Sequence, residues 1–66
     1  MAISTNVYHV APAFQGWSVL AEDGNGTSAY AEKSTALRYG QELARASRGH
    51  LVIHREDGSI QAEHKY

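Results

Sequence analysis

The chain has 66 residues, a formal net charge of −1 and no cysteine. This length allows one small domain that buries only about 60% of the surface its unfolded form exposes, and disulfides and thiolate metal sites are excluded as staples. The opening MAISTNVYHV lacks the basic and apolar regions of a signal peptide, and no run reaches the ~18 apolar residues of a membrane span. The near-neutral charge gives no global field toward nucleic acid, so a soluble cytoplasmic protein is expected.

Residues 1–6 are small or polar and are expected to fray. From Val7, VYHVA reads as a strand with Tyr8 and Val10 on one face and Val7, His9 and Ala11 on the other. Pro12 is expected to end its ladder for want of an N–H, with AFQG turning the chain. WSVLAED is a second strand, on which Trp17, Val19 and Ala21 alternate with Ser18, Leu20 and Glu22. Asp23 to Gly26 (DGNG) forms a turn of residues that tolerate positive φ, and TSAYA is a short third strand.

Ser34 is the expected N-cap of an amphipathic helix of about four turns. Stepping ~100° per residue, Ala36, Leu37, Gly40, Leu43, Ala44 and Ser47 share one sector, while Arg38, Gln41, Glu42, Arg45 and Arg48 share the other. Gly40 costs a helix about 1 kcal/mol relative to alanine and therefore marks a close approach of helix to sheet. Gly49 is expected in the left-handed position that ends the helix.

HLVIHRE and SIQAEHKY are two further strands joined at Asp57-Gly58, a strong two-residue hairpin signal. Such a loop sets His50 opposite Lys65, Leu51 opposite His64, Val52 opposite Glu63, Ile53 opposite Ala62 and His54 opposite Gln61. It places Leu51, Ile53, Ile60 and Ala62 on one face, and slipping it by one residue would break that pattern. The predicted fold is α+β: an antiparallel sheet in the order β-β-β-α-β-β with one helix on one face.

Three candidate sites follow. His50 and His54 are about 13 Å apart along a strand and cannot chelate one ion. His9 and His54 approach each other if the first and fourth strands are neighbours, with Glu63 nearby; without a third ligand they read as solvated histidines. No metal site and no cofactor is expected. No nucleophile elbow, P-loop or dinucleotide fingerprint is present, so no catalytic residue is assigned and an enzyme is not expected. Val7, Leu20 and Val52 lie on the face away from the helix and form a candidate homodimer face. The exposed helix stripe of Arg38, Arg45 and Arg48 is the alternative, a weak nucleic-acid contact, against which Glu42 offers local pairing.

Tyr8-His9-Val10, Gly16-Trp17-x-Val19 and His54-x-x-Asp57-Gly58-x-Ile60-Gln61, within a chain matching from Tyr8 to Tyr66, resemble the small bacterial proteins grouped as domain of unknown function 2188. The resemblance implies the β-β-β-α-β-β order and a bacterial or phage cytoplasmic setting. It implies no activity, cofactor or catalytic residue. Phe14, in the first turn, is a candidate exposed contact.

Overall fold

The computed structural model describes residues 6–22 and 27–66. The expected Asp23–Gly26 turn and all of the expected frayed segment except Asn6 lie outside the described residues. Asn6 itself is engaged, since its carbonyl accepts from the His50 N–H at 2.7 Å.

Five strands and one helix follow the expected order: β1 (Val7–Ala13), β2 (Gly16–Ala21), β3 (Thr27–Tyr30), α1 (Lys33–Ser47), β4 (His50–His54) and β5 (Ile60–Lys65). The spatial order is β3-β2-β1-β4-β5. The sheet is mixed, because β1 and β4 pair in parallel from Val7↔His50 to Val10↔Ile53, whereas an antiparallel sheet was expected. The helix carries the chain back to the end of the sheet where β1 begins, so the next strand must run in the direction of β1. Pro12 does not end β1. It pairs opposite Trp17 and the ladder continues to Ala13↔Gly16, so the turn is the two residues Phe14 and Gln15.

The registers line residues into rows across the sheet. Val19, Val10, Ile53 and Ala62 form one row, and Tyr8, Leu51 and His64 belong to the next. Val10, Val19, Leu51 and Ile53 from these rows join Ala36 and Ala44 of α1 in the core, with Tyr8, Trp17, Tyr30, Leu37 and Ala62 packed around it. The helix contributes small residues because it lies close. A Cβ on Gly40 would sit 2.9 Å from both Leu51 Cδ1 and Val10 Cγ2. Leu43, expected in the buried sector, is instead 44% exposed, because the contact stripe is the narrow Ala36-Gly40-Ala44 line.

Both helix ends depart from the expected caps. The N-cap is Glu32, with no side-chain cap bond, and Ser34 is already helical. Lys33 is held in the first turn by tertiary contacts: its Nζ lies 4.7 Å from the Trp17 ring centroid and donates to Gln61 Oε1 at 2.6 Å. At the other end the left-handed residue is Arg48 (φ 53, ψ 42), not Gly49. The Gly49 N–H donates to the Ala44 carbonyl at 2.8 Å, and the Arg48 N–H to that of Arg45 at 3.2 Å. This is the double bond pattern of a Schellman motif. Gly49 is glycine for lack of room, since a Cβ there would overlap the Asn6 carbonyl.

The β4–β5 hairpin keeps the expected register from His50↔Lys65 to Ile53↔Ala62, then shifts so that His54 faces Ile60 rather than Gln61. The loop is longer than two residues. The Gly58 N–H donates to the Arg55 carbonyl at 2.9 Å, and Arg55 N–H to that of Ser59 at 2.7 Å. Three residues, Glu56 to Gly58, are thus enclosed, with Gly58 at φ 92, the three-residue loop that ends in a left-handed glycine. The shift moves Ile60 off the helix-facing side, where it was expected, and leaves it 59% exposed.

Candidate functional site on the uncovered sheet face

The helix packs on one face of the sheet. On the other, β1 and β4 being neighbours brings His9 and His54 together. His9 sits beside Leu20 of β2 and Val52 of β4, with Glu63 beyond Val52. His54 lies two residues past Val52 and so faces the same side.

His9 Nδ1 lies 2.9 Å from His54 Nε2, with ring centroids 5.2 Å apart. The other end of the His9 ring, Nε2, is 2.9 Å from Glu22 Oε1. His54 Nδ1 is 3.0 Å from the Gly58 carbonyl oxygen. A four-member chain, Glu22–His9–His54–Gly58, therefore crosses the face from the end of β2 to the β4–β5 loop. The expected acidic neighbour, Glu63, is not part of it. Glu22 takes that place because β2 runs antiparallel to β1, and the Glu22 N–H donates to the Val7 carbonyl at 2.8 Å. Spacing along β4 alone could not reveal the pair; the β1–β4 adjacency does.

The chain borders a shallow, open depression of about 480 Å³ with an apolar lining that includes Ala11, Pro12 and Leu20. Its loop end is rigidified locally. Asp57 Oδ1 accepts from the Ser59 hydroxyl at 2.7 Å and from the Ser59 N–H at 2.9 Å. The Ser59 hydroxyl bond, then the backbone bond, hold the Asp57 carboxyl below its ordinary 3.8, with Arg55 assisting. Among the described residues no three His, Cys, Asp or Glu side chains converge as a complete metal-binding group.

Of the expected dimer-face residues, Val7 and Leu20 are half-buried, but Val52 is only 5% exposed. It lies in β4, flanked by β1 and β5, and offers little surface to a partner. Ile60 supplies apolar surface that the sequence assigned to the core. Phe14 is 92% exposed, as expected for a contact residue. Arg38, Arg45 and Arg48 are all exposed. Arg38 and Arg45 share a helix stripe, but Arg48 lies beyond the helix in its left-handed conformation. Arg38 lies 5.8 Å from the Tyr39 ring centroid.

Among the described residues, no helix is long and apolar enough to cross a membrane. Neither a curated protein nor a solved structure matches the chain. A family model described as an uncharacterized protein conserved in bacteria matches residues 8–66, and the chain belongs to that family, DUF2188.

Proposed function

We propose that the chain is a small non-catalytic interaction module of the cytoplasm that pairs with a second copy of itself through the uncovered sheet face. The observation that carries this reading is one-sided coverage. The only helix among the described residues contacts β1, β2, β3 and β4 from a single side, and Leu20, Val7 and Ile60 remain at least partly open on the other. A sheet with an apolar component on both faces is stabilised when the second face is also covered. Two such faces stacked about 10 Å apart would form a sandwich. The shortage of large buried side chains points the same way, since among the described residues Leu51 and Val10 are the largest fully buried side chains. The absence of cysteine suits a reducing compartment.

Leu20→Asp tests the face without disturbing the core that lies against the helix; Val52→Asp would place a charge at a buried position and unfold the chain. Sedimentation equilibrium should give a dimer for the unaltered protein and a folded monomer for Leu20→Asp. A monomer in both cases, or a dimer in both, removes the proposal. Nucleic-acid contact through Arg38, Arg45 and Arg48 has weaker support, because Glu42 interrupts the stripe and the chain as a whole is acidic. Such contact would weaken steeply with salt and on Arg45→Glu.

A further inference from the structure

Glu22 and Gly58 do more than flank the histidine pair, because each fixes a tautomer. A carboxylate and a carbonyl oxygen only accept hydrogen bonds, so His9 carries its proton on Nε2 and His54 carries its proton on Nδ1. In neutral rings the two inward atoms, His9 Nδ1 and His54 Nε2, are then both unprotonated. They face each other at 2.9 Å, lone pair toward lone pair, an arrangement that repels unless a cation lies between them. A shared proton is one such cation; a metal ion is the other.

The surroundings suit the metal. Histidines that ligate a metal characteristically donate their second ring N–H to a carboxylate, a backbone carbonyl or water. Here one does so to Glu22 and the other to Gly58. Two imidazole nitrogens on one tetrahedral ion at bond lengths of about 2.0–2.1 Å are about 3.3 Å apart, with each lone-pair axis about 35° off the line between them. The rings meet nearly head-on, with centroids 5.2 Å apart, so admitting the ion takes a swing of each ring as the 2.9 Å contact opens. His9 and His54 are only partly buried, and the adjoining depression is open, which leaves an entry path and room for water in the remaining positions. Neither Glu22 nor a second chain is required as a ligand.

We propose that His9 and His54 form a two-imidazole site for a borderline-soft divalent cation of the zinc, nickel or copper class, with Glu22 and Gly58 as outer-shell partners. This departs from the sequence reading, in which the pair was solvated and no metal was expected. The site lies within one chain and opens on the same sheet face, beside Leu20, that the proposed self-association would cover.

The test is a Zn²⁺ titration of the full chain, followed by calorimetry and by ring-nitrogen NMR of the histidines. The expected result is saturable binding that perturbs His9 Nδ1 and His54 Nε2 and leaves the ring nitrogens of His50 and His64 unchanged. Affinity should fall at least tenfold in His9→Ala and in His54→Ala, and by about 10- to 100-fold in Glu22→Gln, as loss of an outer-shell partner does. The absence of saturable binding overturns the proposal. So does binding whose perturbation falls on His50 or His64, or that survives in the His9→Ala, His54→Ala double variant. The NMR readout uses the unaltered chain and stays decisive even where a variant fails to fold.

Discussion

The two faces of the same sheet follow different rules. Under the helix, the central row of Val19, Val10, Ile53 and Ala62 is aliphatic and the partner is a line of small residues, so a single added carbon has no room at Gly40. On the opposite face, the side chain of Leu20 stands next to a histidine, and the organising contacts are hydrogen bonds through Glu22, His9, His54 and Gly58. The covered face is built to hold the chain together. The open face has polar groups in fixed orientations and apolar groups only partly withdrawn from water, and it is the face on which both proposals place binding.

The comparison is sharpest for two leucines. Leu51→Ala, at a fully buried position, should cost about 3–5 kcal/mol, enough to leave so small a chain largely unfolded at 25 °C. Leu20→Ala, half-exposed, should cost about 1 kcal/mol of monomer stability. Urea denaturation of both variants measures the gap, and equal costs would break the distinction. Next in size, Gly49→Ala should destabilise by roughly 3 kcal/mol, the upper range for overpacking, because the obstacle is the backbone of Asn6 rather than a movable side chain. A smaller effect of opposite sign is expected at Arg48. A non-glycine residue in the left-handed region costs about 1 kcal/mol or slightly more, so Arg48→Gly should raise the denaturation midpoint while leaving the open face unchanged.

The smallest effect lies in the loop that carries the Gly58 carbonyl. The folded-state pKa of Asp57 is lowered, so its contribution to stability is complete above its ordinary value and is lost as pH falls through the lowered one. Below about pH 4 the loop should loosen, read as a change in the Ser59 amide resonance during acid titration. In Asp57→Ala that acid step should disappear.

Much of the covered face could be read from residue order. Alternation in VYHVA and HLVIH found Val10, Leu51 and Ile53, and the anomaly of glycine within a helix found the close approach at Gly40. The four pairs from His50↔Lys65 to Ile53↔Ala62 followed from the hydrophobic pattern. What escaped was set by non-local geometry or loop detail. Asp-Gly signals a two-residue turn, yet the bonds between Arg55 and Ser59 enclose three residues and move Ile60 to the other side. Gly49 attracted the left-handed assignment that belongs to Arg48, because a glycine demanded by steric closeness looks the same in sequence as one demanded by φ. The parallel β1–β4 pair did leave a signal: after a three-stranded meander and a returning helix, the next strand runs with β1 and β3 alike. The adjacency of β1 and β4 brings His9 beside His54, the condition on which the sequence reading makes their approach depend.

The β1–β4 seam has a consequence for how the molecule forms. Val7 and His50 are about 40 residues apart in sequence yet adjacent at the centre of the sheet. The hairpins on either side can close in microseconds, but the seam must await the helix, and non-local pairing of this kind slows folding relative to its length. Until it closes, β1 presents an open edge in the middle of the future sheet, and β4 and β5 of a neighbouring chain have the same sequence as its own. A second copy can therefore fill that gap by exchange of strands, giving an intertwined dimer that differs from the proposed face-to-face pair in having the residues after the helix supplied by the other chain.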